Sequence, residues 1–285
     1  EAGLVDDSWG VNRVSEGEMI AIPTLWTEAM FDISARSTVA YFDWNRQANL
    51  AEGRDNQAMR ITQGSHCGHN RIGDNAKIGD LQLGNMRYDY DAEVLGWFNR
   101  WMMPDAETEP MQAAYTAYLG DGDWLTSDEA IQWGGERFNL GAGGTLAAQT
   151  GAADTFTYLY DPANPVPSLG GEIGGTGTDH HDGSFDQTEL EARDDIIIFT
   201  SEVLDEPMEV FGYIEIGLTV SSDAPDTDFT VKIIDVFPDG RAMNIGDSIL
   251  RMRYRDGMER EVFMEAGETY DITLPPILMS RRIEA

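Results

Sequence analysis

The sequence predicts two successive structural classes, an α/β segment up to about residue 106 and an all-β sandwich after it. In the first segment, short apolar runs typical of buried strands alternate with stretches of helical periodicity. In the second, β-branched and alternating runs are separated by turn residues, without a long helical pattern. Because 41% of the 285 residues are apolar, the chain has the composition of a folded protein rather than a disordered one.

The first segment contains four predicted elements in the order strand, helix, strand, helix. Their predicted bounds are residues 19–26, 34–48, 58–62 and 90–102. Pro23 interrupts the first strand, which leads into a predicted acidic loop over residues 27–32. Apolar residues at helical spacing indicate both helices, and Pro104 stops the second one. The second strand leads into a glycine-containing loop over residues 64–68.

The second segment contains alternating rows that predict strands. One period-two row runs from Val210 to Val220, and Phe229, Val231 and Ile233 form another. Pro238, Asp239 and Gly240 predict a turn that folds residues 241–245 back on the second row. The β-rich half is therefore expected to be an all-β sandwich.

The chain carries a formal net charge of -32, from 51 acidic and 19 basic residues. A surface of this sign repels phosphate backbones and anionic lipids, so binding to nucleic acid or to membrane surfaces is not expected. No run of apolar residues is long enough to cross a bilayer. The chain contains only two lysines, Lys77 and Lys232, beside its many acidic residues. Because salt screens the repulsion within such a surface, we also hypothesise that the protein is adapted to high salt, as in a marine or halophilic source.

His66, Cys67 and His69 form the densest group of reactive side chains. A zinc site is disfavoured because neighbouring residues on a tight loop rarely point at one ion, and no fourth ligand is visible. Cys67 is disfavoured as a nucleophile since it directly follows its own base. His66 is therefore either a general base or an ordinary loop histidine, and we predict neither a metal nor a cofactor. His180 and His181 lie in a Gly/Thr/Asp-rich stretch and are expected to be solvated.

Asp32 and His66 each follow a predicted strand, and one helix and one strand separate them. In the α/β type of Ser-His-Asp enzyme, the acid and then the histidine occupy loops after late strands of the sheet. The histidine takes the proton of the attacking hydroxyl, while the acid fixes the ring tautomer. The spacing is compatible with this pair but does not establish it.

Five stretches of the chain together resemble the family of serine hydrolases that includes cocaine esterase and X-prolyl dipeptidyl peptidase. They are residues 25–32 (LWTEAMFD), 88–102 (YDYDAEVLGWFNRWM), 138–146 (FNLGAGGTL), 158–171 (YLYDPANPVPSLGG) and 226–242 (DTDFTVKIIDVFPDGRA). The resemblance implies that residues 1–106 are the late segment of an α/β-hydrolase domain. It also implies that residues 107–285 are a jelly-roll β-sandwich domain lacking its last strands.

The same resemblance implies that Asp32 is the triad acid and His66 the triad base. No G-x-S-x-G motif occurs in the sequence, so the nucleophilic serine is expected on polypeptide preceding Glu1. The expected partners are that N-terminal part of its own polypeptide and an ester, amide or peptide substrate, with a homo-oligomer left open. Glu28 either binds a substrate ammonium, as carboxylates do in amine-recognising members of the family, or is an ordinary charged loop residue. The competing interpretation is a non-catalytic β-sandwich that binds a ligand or assembles subunits.

Overall fold

The computed structural model describes residues 19–66, 68, 73–103, 113–129, 131, 135–172 and 182–285. In that part the chain is mostly β, with two longer helices and one short one. The helices are α1 (Ala35–Ala51), α2 (Tyr90–Met102) and α3 (Thr188–Glu191). The strands are β1 (Thr24–Phe31), β2 (Gln57–Ser65), β3 (Ala76–Ile78), β4 (Leu81–Gly84), β5 (Tyr115–Gly120), β6 (Asp123–Ser127), β7 (Asn139–Gly141), β8 (Thr145–Ala147), β9 (Met208–Ile214), β10 (Gly217–Ser221), β11 (Asp228–Val236), β12 (Ala242–Arg251), β13 (Thr269–Thr273) and β14 (Ile277–Ile283).

A four-stranded sheet in the order β1-β2-β5-β6 organises the first part of the chain. Strands β1, β2 and β5 are parallel, and β6 returns antiparallel to β5. Helix α1 is the crossover that parallel pairing of β1 and β2 requires. The sheet thus takes two of its strands from sequence beyond residue 106.

Strand β1 lies further along the chain than the sequence pattern predicts. It begins after Pro23 and continues through Phe31, so the predicted strand over residues 19–26 is displaced and the predicted loop over 27–32 is wrong. The last four residues of β1 are buried, and Ala29, Met30 and Phe31 are part of the apolar core. The free energy gained by burying these apolar side chains outweighs the cost of burying Glu28, the one charged residue in β1.

Helix α1 confirms the predicted helix and extends it to Ala51. Ala35, Val39 and Phe42 fall on one face at helical spacing and are fully buried. Asn45 and Asn49 continue that face, and their buried amide groups donate to the carbonyl of Ile20 at 3.3 and 3.0 Å. The polar end of the face therefore holds the segment that leads into β1.

Helix α2 has the bounds predicted from the sequence. The side chain of Asp89 caps its first turn by accepting the Ala92 N–H at 3.0 Å. Glu93 forms an ion pair with the buried guanidinium of Arg60 on β2. None of the residues of α2 is buried. Its apolar side chains remain exposed at Val94, Leu95, Phe98, Trp101 and Met102.

The second part of the chain is built from antiparallel strand pairs. Strands β11 and β12 form the predicted hairpin, and Gly240 N–H donates to Phe237 O in its turn. The single predicted row from Val210 to Val220 is instead two strands, β9 and β10. The division arises because β9 pairs with β14 whereas β10 pairs with β13.

The two parts of the chain share one apolar core. Met243 from β12 and Leu278 from β14 are buried in the same cluster as Met59 and Tyr115 of the first sheet. A second, smaller cluster lies among β10, β11, β12 and β13, with Met252 and Leu274 among its buried members. The β-rich half is therefore packed directly against the sheet that carries Asp32 and His66.

Candidate active site

Parallel register places Asp32 and His66 side by side. Phe31, the last residue of β1, is the register partner of Ser65, the last residue of β2. The next residue on each strand is therefore Asp32 and His66, at the carboxyl edge of the sheet. A register shift between Ala29 and Phe31 immediately precedes this point, as irregularities in strands often do near functional sites.

The Asp32 and His66 side chains are hydrogen-bonded. His66 Nδ1 lies 2.9 Å from Asp32 Oδ2. The Asp32 side chain is only 8% exposed, whereas that of His66 is 36% exposed. The pair thus has a buried anionic end and a histidine ring that reaches solvent.

Ser34 fixes the other oxygen of the Asp32 carboxylate. The Ser34 N–H donates to Asp32 Oδ1 at 2.9 Å, and the Ser34 hydroxyl donates to the same oxygen at 2.8 Å. Burial alone would raise the pKa of Asp32, but these two hydrogen bonds and the contact with His66 outweigh it and hold the pKa below its ordinary value. Asp32 is therefore an ionised carboxylate with one oxygen directed at the imidazole.

Glu28 is buried in β1 beside this pair, with 6% of its surface exposed. Its Oε1 accepts the Ala29 N–H at 2.9 Å, and its Oε2 lies 3.3 Å from Ser34 Oγ. Burial raises the pKa of Glu28, and the neighbouring Asp32 charge raises it further against the lowering effect of its hydrogen bonds. The interpretation of Glu28 as a charged loop residue is therefore wrong.

The β-rich half brings one more carboxyl group, Glu172, towards the site. Gly170 and Gly171 both have positive φ, and a Cβ at Gly170 would lie 2.5 Å from the carbonyl oxygen of Gly183. A Cβ at Gly171 would lie 2.8 Å from Asp247 Oδ1, so only glycine fits this close approach to β12. The turn places Glu172 where its carboxyl senses the charges of Asp32 and Glu28.

The pKa of Glu172 is raised to about 7. Burial is the main cause, and the negative charge of Asp247 adds to it. Arg36 opposes the shift, while Asp32 and Glu28 contribute smaller increases. The site thus contains one carboxylate, Asp32, whose pKa is lowered, and two further carboxyl groups, Glu28 and Glu172, whose pKa values are raised mainly by burial.

Several residues singled out in the sequence lie outside the described residues. These are Cys67, His69, His180 and His181. Among the residues that the structure describes, no group of three or more His, Cys, Asp or Glu side chains is placed to hold a metal ion. In the same part of the chain, no helix is long and apolar enough to cross a membrane.

The sequence did not point to Ser34 or Glu172. Ser34 could have been noticed as a hydroxyl residue next to a helix start two positions after the candidate acid. Glu172 gives no local signal, because its approach to Asp32 depends on a contact across 140 positions of the chain.

Comparison with known proteins assigns the second part of the chain to a family. Residues 98–285 match the model of the family described as "X-Pro dipeptidyl-peptidase C-terminal non-catalytic domain". The chain is 40% identical over 181 residues to cocaine esterase from Rhodococcus sp. (strain MB1 Bresler). That match covers 63% of this chain and 28% of the length of cocaine esterase.

Solved structures of similar fold extend the likeness to the whole chain. An aminopeptidase from a marine sediment archaeon, Thaumarchaeota archaeon, has a TM-score of 0.77 at 22% identity, over 93% of this chain and 46% of its own. An α-amino acid ester hydrolase has a TM-score of 0.75 at 20% identity, over 92% of this chain and 46% of its own. A CocE/NonD family hydrolase from Staphylococcus aureus has a TM-score of 0.62 at 12% identity, over 99% of this chain and 48% of its own. This chain therefore spans about half the length of these solved relatives. Because their sequence identities to this chain are low, the structural similarity establishes the fold alone.

Proposed function

Residues 98–285 make this chain a member of the X-Pro dipeptidyl-peptidase C-terminal domain family, as its resemblance to that group of hydrolases indicated. From this membership we propose that the chain is part of a serine hydrolase that cleaves an ester or amide bond by acyl transfer. In this proposal Asp32 orients and stabilises the ring of His66, which acts first as general base and then as general acid. The serine comes from polypeptide outside these 285 residues. The matched domain is described as non-catalytic, and the Asp32–His66 pair lies before it.

The observation that carries the proposal is the 2.9 Å contact between His66 Nδ1 and Asp32 Oδ2. A carboxylate at this position favours the ring tautomer with hydrogen on Nδ1, which leaves Nε2 as the nitrogen that accepts the serine proton. The carboxylate also stabilises the imidazolium that forms. The exposure of the His66 ring gives an incoming hydroxyl access to it.

We further propose that residues 1–106 are the late segment of an α/β-hydrolase domain and residues 107–285 a jelly-roll β-sandwich domain. The parallel β1–α1–β2 unit, with candidate residues at the carboxyl edge of the sheet, supports the first assignment. The antiparallel pairs β9–β14, β10–β13 and β11–β12 support the second. The hairpin of β5 and β6 then belongs to the hydrolase sheet, although it follows the proposed boundary.

The proposed partner is the N-terminal part of the same polypeptide. The exposed apolar face of α2 supports this, because Leu95, Phe98 and Met102 are 62%, 54% and 71% exposed. Contiguous apolar faces of this kind usually mark a contact surface. In this proposal upstream polypeptide covers that face and delivers the serine to His66.

The proposed substrate class is an acyl ester, an amide or a peptide. The names of the similar proteins span these chemistries, since they include an esterase, an aminopeptidase and an amino acid ester hydrolase. A panel of p-nitrophenyl esters, X-Pro amides and aminoacyl amides would distinguish the leaving groups.

A fluorophosphonate probe tests the proposal directly. The full-length protein should be labelled, and His66→Ala should reduce the labelling rate by about 10²- to 10⁴-fold because the serine loses its general base. His180→Ala is the matched control and should label at the wild-type rate. Labelling of His66→Ala at the control rate would remove the role proposed for His66.

The second candidate function is a non-catalytic module, and the description of the family that residues 98–285 match favours it. In that case the protein binds a glycan or polymer, or assembles subunits, and the Asp32–His66 pair is structural. Retention of the protein on an insoluble glycan together with a complete lack of probe labelling would favour this candidate over the hydrolase.

A further inference from the structure

Four side chains form a continuous line of contacts that ends at His66. Glu28 Oε2 lies 3.3 Å from Ser34 Oγ, which lies 2.8 Å from Asp32 Oδ1. Asp32 Oδ2 in turn lies 2.9 Å from His66 Nδ1. The Ser34 hydroxyl is thus placed between two carboxyl groups, both on residues that are 6% exposed.

The number of hydrogens in this line restricts its protonation state. A serine hydroxyl has one hydrogen to donate, and an ionised carboxylate can only accept. If Glu28 and Asp32 were both ionised, Ser34 could satisfy one of them and would present a lone pair to the other. If Glu28 carries a proton, it donates to Ser34 Oγ, and the serine donates to Asp32, so every group in the line has a partner.

The surroundings favour placing that proton on Glu28 rather than on Asp32. Asp32 receives the backbone N–H of Ser34 and the contact with His66, which stabilise its charge. Glu28 also accepts hydrogen bonds, from the Ala29 N–H and the Thr38 side chain, but it is buried and faces the negative charge of Asp32. Burial raises the pKa of Glu28, whereas that of Asp32 is lowered, and such divergent environments separate a proton carrier from a carboxylate.

We infer that Glu28 is a positioning residue that stays protonated when His66 acts as a base. Through the Ser34 hydroxyl, Glu28 holds the Asp32 carboxylate in line with the imidazole. The inference rests on the proposed function, since it gives Glu28 and Ser34 a task only if Asp32 orients His66. It replaces the earlier interpretation of Glu28 as a group that binds a substrate ammonium. A buried, neutral carboxyl that is already hydrogen-bonded offers little attraction to such a cation.

Infrared difference spectroscopy of the full-length protein at neutral pH tests the protonation state without requiring activity. Subtracting the spectrum of Glu28→Gln from that of the wild type should reveal the C=O stretch of a protonated carboxyl. Glutamine is the suitable replacement because it keeps the shape and can donate to Ser34 Oγ. Glu189→Gln, at an exposed position on α3, is the matched control for replacement of a glutamate by glutamine. A carboxylate signal for Glu28 at neutral pH would overturn the inference.

The low-field proton NMR signal of His66 Nδ1–H tests the positioning role. The signal is assigned by its loss in His66→Ala and reports the bond to Asp32. Ser34→Ala should weaken or abolish it, and Ser34→Thr should restore it because threonine keeps the hydroxyl. An unchanged signal in Ser34→Ala would refute the positioning role. Failure of the proposed function is recognised separately, by fluorophosphonate labelling of His66→Ala at the control rate.

Discussion

Replacing Glu172 with glutamine should stabilise the protein increasingly as the pH rises. In the folded protein, burial and then the negative charge of Asp247 raise the pKa of Glu172 to about 7, from an ordinary value of 4.5. The folded state therefore binds this proton more tightly than the unfolded state does. The stabilisation that the proton provides is complete below the unfolded-state pKa and is lost as the pH rises through the folded-state pKa.

The expected magnitude follows from the size of the shift. Each pKa unit corresponds to about 1.4 kcal/mol, so the rise from 4.5 to about 7 corresponds to about 3 kcal/mol of pH-dependent stability. Glutamine does not titrate, and the difference in unfolding free energy between Glu172→Gln and the wild type should grow by about this amount. The figure is an upper limit, because Asp247 readjusts its own proton binding when its neighbour becomes neutral.

The assay is urea unfolding of both proteins at a series of pH values from below 4.5 to above the raised pKa. Glu189→Gln, at an exposed position, serves as the control for replacing a glutamate by glutamine. A constant difference for Glu172→Gln would show that the turn at Gly170 and Gly171 does not bury this carboxyl among the acids of the site.

Three further predictions concern the scaffold and the surface. Phe42→Ala should lower the unfolding free energy by about 3 to 5 kcal/mol, because its ring is fully buried and lies 5.0 Å from that of Tyr115. Urea unfolding measures this loss, with Leu50→Ala, at an exposed position, as the control. Equal losses of unfolding free energy in the two variants would contradict the prediction. Asp89→Ala should cost about 1 kcal/mol through loss of the N-cap of α2, and an unchanged unfolding midpoint would count against the cap. The thermal unfolding midpoint should rise in molar KCl because salt screens the repulsion within a chain of net charge -32, and a midpoint that falls as salt is added would refute adaptation to high salt.

Local sequence patterns were sufficient for some elements and failed for others. Helix α2 and the β11–β12 hairpin match their predictions, because amphipathic spacing and a Pro-Asp-Gly turn act over a few residues. Strand β1 was misplaced because Glu28 suggests a loop, whereas in the fold Glu28 is buried with hydrogen-bond partners at Ala29, Ser34 and Thr38. The split between β9 and β10 was missed because it depends on the partner strands β14 and β13.

The sequence by itself determined the strand–helix–strand order of the first three elements, the net acidic charge, the family and the choice of Asp32 and His66 as candidate residues. Each of these depends on residue identity and on spacing along the chain. Only the tertiary structure decided that Phe31 and Ser65 are register partners, which brings those two residues into contact. It alone placed Ser34 between Glu28 and Asp32 and carried Glu172 to the same site. Strand register, burial and the pKa values that follow from them arise from contacts between distant segments, so no local pattern encodes them.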